Sequence, residues 1–290
     1  MPTPWEKEEF SQSLEWRKKA QEGALDPISC VSVWMDICGF GSKLESANWD
    51  LKLLQKSGIV NLLNEVYQRV GHPFWVGVPP EPFENVLVIN DGIARTVDLG
   101  APEYIRAIQA VFYMRDLVLG HLSLLRLTDR YSMGGRTVLA GGERIQYSPA
   151  LFTGNSILFH SDTPSEYGKK LLETNFLYNP AEFQMNTAFA KAYSIDSKGT
   201  SSGFNVNGFY VEKNFLDKFK DVKGLGFVPS DKSILMNHQG QPALELYIKN
   251  IIPFQFKGVS TDVYEVSSVR VDSSFEGEET LIDLINYEMA

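Results

Sequence analysis

The chain has 290 residues, long enough for one large domain or two small ones. Its 43% hydrophobic and 22% charged content is that of a globular protein rather than a disordered one. A net charge of −9, from 27 basic and 36 acidic side chains, argues against a nucleic-acid partner, because phosphate neutralisation needs a basic face; a small anionic substrate needs only a local basic pocket.

In chain order, residues 6–22 are charged and amphipathic and predict a surface helix ahead of the core. No signal-peptide core precedes it in Met1-Pro-Thr-Pro-Trp-Glu-Lys7, and no apolar run in the chain approaches the roughly 20 residues that span a bilayer, so no membrane partner is expected. Residues 28–36 predict a strand, with Val31, Val33 and Met35 alternating with small or polar neighbours. The strand ends in Asp36 and the turn Cys38-Gly39-Phe40. Asn48 is placed to cap a following helix, whose apolar residues from Leu51 to Tyr67 fall near helical spacing, with Gly58 weakening it midway.

Residues 71–82 form a Pro/Gly-rich loop. Asn85–Leu99 predicts two strands joined at Asn90-Asp91-Gly92, since Asp-Gly is a strong tight-turn signal. Ala101–Tyr131 predicts a long helix entered through Pro102. Arg136–Tyr147 reads as strand, turn at Gly141-Gly142, and strand; Ser156–His160 as another strand; Ala181–Tyr193 as an Ala-rich helix. A strand begins at Phe209–Val211, a short helix follows at 214–219, and Leu244–Ile248 and Phe254–Val266 are strand-like, the latter broken at Lys257-Gly258. Glu278–Met289 is acidic and amphipathic. Strands interrupted by helices, with one clear hairpin, predict an α+β sandwich.

Cys30 and Cys38 are too few for a disulfide framework, which points to a reducing, cytoplasmic compartment. The four histidines, His72, His121, His160 and His238, lack zinc-ligand spacing, so any metal chemistry is expected to use oxygen donors. Asp36 and Asp91 stand at strand ends, each near a glycine. Two such carboxylates suit divalent metals on a polyphosphate; the plainer reading is a turn aspartate capping its own backbone.

Val33-Trp-Met-Asp-Ile-Cys-Gly-Phe40, Val86–Asp98, Gly135-Arg-Thr-Val-Leu-Ala-Gly-Gly142, Met185-Asn-Thr-Ala-Phe-Ala-Lys-Ala-Tyr193 and Phe256-Lys-Gly-Val-Ser-Thr-Asp-Val-Tyr-Glu-Val266 resemble, in order, segments of the class III nucleotide cyclase catalytic domain. The resemblance implies the family's ferredoxin-like α+β sandwich, with a mixed, mostly antiparallel sheet and helices packed on it. It divides the chain into an N-terminal helical extension at 1–27, a catalytic domain at 28–268 and an acidic, helical C-terminal segment at 269–290. It implies two divalent ions, Mn²⁺ or Mg²⁺, on Asp36, the Ile37 carbonyl and Asp91. One ion would acidify the substrate's 3′-hydroxyl and the other would hold the β- and γ-phosphates. Gly39 and Phe40 would offer backbone N–H groups to phosphate, Asn186 would donate to developing charge, and Lys257 would bind phosphate. The interval from Asp36 to Asp91 is longer than the family's, and the loop at 71–82 holds the excess.

Three positions depart from the family. Leu87 and Asn179 stand where its adenylate members carry purine-selecting Lys and Asp. Ala190 stands where a transition-state Arg is expected, leaving the adjacent Lys191 or another basic residue to substitute. Without the purine-selecting pair, the chain looks most like the bacterial pyrimidine cyclases of Pycsar anti-phage defence. That likeness implies a pyrimidine nucleoside triphosphate substrate, UTP ahead of CTP, a homodimer with the site between subunits, and a separate effector responding to the cyclic nucleotide.

The alternatives stay open at this level: a purine cyclase with an altered base pocket, a degenerate nucleotide-binding module, or a scaffold. Gly39-Phe40 reads equally as an ordinary turn, Asn186 as a helix-surface residue, and Lys257 as an edge-strand lysine. Lys191, Arg95, Arg144 and Lys198 read as solvated surface, His121 and His160 as structural residues, and the long helix as core with a dimer face second.

Overall fold

The computed structural model describes residues 26–70, 84–99, 107–145, 183, 185–220, 222–230, 232–273 and 279–285. The chain divides into two compact units: Met1–Ile28 with Glu143–Asn186, and Ser29–Gly142 with Thr187–Ala290. In the first, the described structure includes a bridge between Arg144 and Asn186. The expected helix at 6–22, the loop at 71–82, the Pro102 helix start, the strand at Ser156–His160, and Asn179 lie outside the described residues.

The second unit is a mixed α+β structure built on a large, mostly antiparallel sheet. Its strands are β1 (Pro27–Cys38, in this unit from Ser29), β2 (Glu84–Ile89), β3 (Gly92–Asp98), β4 (Gly134–Ile145, in this unit to Gly142), β5 (Phe209–Glu212), β6 (Leu225–Pro229), β7 (Ser233–His238), β8 (Gln241–Phe256), β9 (Val259–Val271) and β10 (Thr280–Asp283). The order across the sheet is β2-β3-β1-β4-β5-β9-β8-β7-β6. β4 and β5 run parallel, with Thr137 opposite Phe209. β10 pairs with β9 at Ser268–Val271, just past the stretch of β9 that pairs with β5.

The helices are α1 (Phe40–Ser46), α2 (Leu51–Lys56), α3 (Ile59–Arg69), α4 (Ala107–Asp129), α5 (Thr187–Asp196) and α6 (Lys213–Phe219). The period-2 alternation of β1 sends Val31, Val33, Met35 and Ile37 into the main core with Leu62 and Val66 of α3, Met114 and Leu117 of α4, and Phe215 of α6. The opposite parity turns Ser32, Trp34, Asp36 and Cys38 to the other face. Along β5, Phe209 and Val211 join the main core while Tyr210 meets Phe204 edge-on at 5.2 Å. Buried side chains therefore lie on both faces of the sheet, and Trp34 and Asp36 are on the face away from the main core.

Several local expectations are corrected. Asp50, not Asn48, caps the helix after the turn, accepting from the N–H groups of Lys52 and Leu53, while Asn48 takes a left-handed turn conformation (φ 49°). Gly58 does more than weaken the following helix; at φ 83° it ends α2 and starts α3. Gly141-Gly142 is no turn: β4 runs straight through. A Cβ at Gly141 would collide with the backbone at Asn214–Phe215, and one at Gly142 with the backbone and side chain at Thr187–Ala188. These glycines serve close packing. Residues 280–283 pair as a strand within the segment read as helical, and β6 and β7 fill a stretch where no element was expected.

Arg95 is not surface-solvated. It is 1% exposed and ion-paired to Glu84 at 2.7 Å and Asp116 at 2.6 Å. Burial opposes its charge, but Glu84 and Asp116 outweigh that and hold the guanidinium firmly protonated. Arg144 is also buried. His121 is fully buried with Nδ1 2.9 Å from the Thr137 hydroxyl, a structural residue. Among the described residues, no helix is long and apolar enough to cross a membrane.

Candidate functional site

The β1–β3 pairing sets Asp36 opposite Gly92 and Trp34 opposite Ala94. Asp91 sits one residue earlier, in the turn after Asn90, whose φ of 50° is the left-handed conformation Asn tolerates. The Ile37 N–H donates to the Asp91 carbonyl at 3.0 Å, tying the end of β1 to that turn. Gly92 is required here, because a Cβ would run into the Trp34 ring. The two aspartates singled out in sequence thus share one corner of the sheet. Ile37 buries its side chain in the core, so only its main chain faces this corner.

A third carboxylate, missed in sequence, joins them. Asp196 ends α5 and accepts from Trp34 Nε1 at 3.2 Å and from Arg136 Nη1 at 2.8 Å. Arg136 also donates to the main-chain carbonyls of Asp196, at 3.0 Å, and Asn205, at 3.2 Å. Arg136 lay inside a motif segment but carried no assigned role. Asp196 has no local signature, since its partners come from β1 and β4.

The electrostatics follow from this crowding. Burial, then the charges of Asp196 and Asp91, push the Asp36 carboxyl up to about 7, with Arg136 pulling the other way. Burial also raises Asp91, helped by Asp196 and opposed by a backbone hydrogen bond. Asp196 is raised by burial against the pull of Arg136. Burial pushes the Cys38 thiol up to about 12, so it is neither a ready thiolate nor a nucleophile.

A corner of carboxylates short of positive charge suits a hard divalent cation, and the donor set is oxygen, as Mg²⁺ and Mn²⁺ prefer. Among the described residues, no three His, Cys, Asp or Glu side chains converge on one metal position. The fit therefore rests on Asp36, Asp91, main-chain oxygen and oxygens that a substrate would bring.

The remaining sequence candidates fall elsewhere. Gly39 (φ 94°) stands at the start of α1, whose first N–H groups have no side-chain cap, while the Phe40 ring is buried in the core. Leu87 lies on β2 opposite Ala94, half-buried. Asn186 is buried and belongs to the first unit, where it bridges Arg144; it is not a surface residue.

Lys191 and Lys257 line one cleft of about 470 Å³ together with Thr187, Phe254, Phe256 and Ser260. Asp36, Asp91 and Asp196 take no part in that lining. Lys257 is not on a strand, as either sequence reading had it. It occupies the tip of the β8–β9 hairpin with φ 45°, followed by Gly258 at φ 86°, and it is exposed. Lys191 is held: its Nζ lies 3.2 Å from Glu212 Oε2. Glu212 is fully buried on β5 and also accepts from the Gly141 N–H at 3.2 Å and the Thr261 hydroxyl at 2.6 Å. Lys198 lies close by, its Nζ 4.1 Å from the centre of the Phe256 ring.

No protein-family model matches the sequence, and no curated protein does. Among solved structures the chain is similar to the guanylyl cyclase Cya2, at 14% identity and a TM-score of 0.46, over 84% of this chain and 93% of that one. A likeness of that size assigns no activity to this chain.

Proposed function

We propose that the protein is a nucleotide cyclase that converts a pyrimidine nucleoside triphosphate, UTP ahead of CTP, to its 3′,5′-cyclic monophosphate and pyrophosphate, as a signal in anti-phage defence. The observation that carries this reading is the β1–β3 pairing, which sets Asp36 opposite Gly92 beside the turn that holds Asp91. Asp36, the Ile37 carbonyl and Asp91 would hold two divalent ions. When bound, these ions supply Lewis acidity for the attacking hydroxyl and charge neutralisation for the phosphates. The residues of the chain do the rest. The Arg136–Asp196–Trp34 bonds fix the acidic corner, and the first N–H groups of α1, at Gly39 and Phe40, offer donors to phosphate. Lys191 and Lys257 supply positive charge in the cleft, and Asn186 is the proposed donor to the developing charge. Leu87 and Asn179 would take the base in place of purine-selecting charges.

The acidic corner and the lysine cleft are lined by different residues of one chain. A single protomer would then hold metals in one place and phosphates in another, so the reading includes a homodimer in which each copy completes the other's site. A separate effector would respond to the product.

A panel of ATP, GTP, CTP and UTP with Mn²⁺, read by mass, tests the proposal. A cyclic pyrimidine monophosphate that disappears in Asp36→Ala supports it. Turnover of ATP or GTP alone removes the pyrimidine part, and an unchanged rate in Asp36→Ala removes the metal role. A second reading, a cyclase-like nucleotide-binding module, is favoured by Ala190 at the expected Arg position and by the neutralisation of Lys191 by Glu212. Nucleotide binding with no product from any of the four would select it.

A further inference from the structure

Lys191 and Lys257 line the cleft beside α5 and the β8–β9 hairpin, Lys198 reaches the Phe256 ring of its wall, and the three are not equivalent. Lys191 is ion-paired to the buried Glu212, so much of its charge is already answered. Lys198 and Lys257 have no carboxylate partner among the described residues. Their ammonium groups instead share one aromatic ring: Lys198 Nζ is 4.1 Å and Lys257 Nζ 5.1 Å from the centre of Phe256. Each gains cation–π attraction there, modest at such a partly exposed place. Two cations set on one ring also concentrate positive charge at this rim, and an anion bridging the two ammonium groups would gain from both.

The arrangement is built from the chain up. Lys198 follows α5 directly, in the turn that ends the helix. Lys257 is fixed by the two-residue hairpin turn, where the left-handed conformations of Lys257 and Gly258 set its direction. Phe256 stands beside both at the end of β8, tilted against Phe254 at a 6.4 Å centroid distance. Phe254 packs in turn on the buried Phe204 at 6.2 Å. The ring that carries both lysines is thereby anchored to the apolar layer under this face.

We infer that Lys198 and Lys257, both set against the Phe256 ring at the rim of this cleft, form a clamp for the di- or triphosphate end of a ligand, with Lys198 as its second cation. The inference rests on reading the cleft as the phosphate end of a nucleotide site. It moves the free positive charge from Lys191 to Lys198.

The test uses the full chain and inorganic tripolyphosphate without metal, with binding followed by calorimetry at low and at physiological salt. Wild type is expected to bind, more weakly at the higher salt. Lys198→Ala and Lys257→Ala should each weaken binding about tenfold, the loss expected from one charge-assisted contact, while Lys198→Arg retains it. Unchanged affinity in Lys198→Ala, or no wild-type binding at millimolar tripolyphosphate, overturns the clamp. The nucleotide panel is scored apart from this. Turnover with no effect of Lys198 sinks the clamp and leaves the cyclase reading, whereas tripolyphosphate binding that needs Lys198 without turnover does the reverse.

Discussion

Trp34 and Asp196, 162 residues apart in the chain, are joined by a 3.2 Å hydrogen bond from the indole N–H to Oδ2. Through that bond the first strand of the sheet and the end of α5 share one buried carboxylate, whose other oxygen takes Arg136 at 2.8 Å. The acidic corner is thus held in part by side-chain hydrogen bonds outside Asp36 and Asp91, beside the main-chain bond from Ile37 to Asp91.

Asp196→Asn follows from this. The variant keeps the shape but removes the charge opposite Arg136, leaving a mostly buried guanidinium without its ion pair. Loss of one partner of a buried pair costs about 3–5 kcal/mol; the main-chain carbonyls that Arg136 retains place the expectation at the low end. Urea unfolding should show a lower midpoint at unchanged slope.

The pH dependence has a definite sign. Asp36 is raised from an ordinary 3.8 to about 7, so between those values the folded state binds more protons than the unfolded one at this site. Stability from this group is therefore full below about pH 4 and is lost as pH rises toward 7. Metal-free Asp36→Asn should be more stable than wild type at pH 7, by on the order of 1–4 kcal/mol, and equal to it near pH 4. His121 acts oppositely. Burial lowers it from 6.5 to about 4, so its contribution is present above 6.5 and lost as pH falls. Asp91 and Asp196, also raised by burial, act against His121 over the same range, so its part is read as the difference between thermal melts of Asp36→Asn and of Asp36→Asn with His121→Gln across pH 4–7. An unchanged pH slope on adding His121→Gln would count against the His121 assignment.

Gly92→Ala tests the geometry of the corner. The added Cβ would collide with the Trp34 ring, and the ring is tied to Asp196, so it gives way only by losing that hydrogen bond. Overpacking of this kind costs about 1–3 kcal/mol. A melting temperature within error of wild type would show that Trp34 is free to move.

Much of this was legible where the signal is local. The alternation of Val31, Val33 and Met35 marked β1 because side chains on a strand repeat every two residues. Asn90-Asp91-Gly92 marked a chain reversal because Asn, Asp and Gly tolerate left-handed backbone, whereas Lys257-Gly258 marked only a break in a strand, since a lysine at φ 45° has no local signature. The same logic misread Gly141-Gly142, since a missing Cβ permits either a turn or a close approach, and only the positions of Asn214 and Ala188 decide between them. Thr280–Asp283 was hidden because four residues define no period, and their pairing with β9 is a tertiary choice. Asp196, Arg136 and Glu212 were illegible for a related reason: each draws its meaning from partners on other elements, 21 to 162 residues distant.

Glu212 and Lys191 give the last prediction. Glu212 is fully buried, and a buried carboxylate stripped of its cation keeps its desolvation cost without the compensating charge. Lys191→Met should therefore destabilise by about 3–5 kcal/mol, although the lysine stands at a cleft wall. Glu212→Gln alone should cost less, because the amide still bonds to Thr261 and Lys191 can turn toward water through the cleft. The double variant should recover much of the Lys191→Met loss, since a neutral amide beside a methionine leaves no uncompensated charge. A double-mutant cycle in urea measures the coupling directly. Additive losses would mean that the two charges do not depend on each other, and Lys191 would then be free to act as a phosphate ligand in its own right.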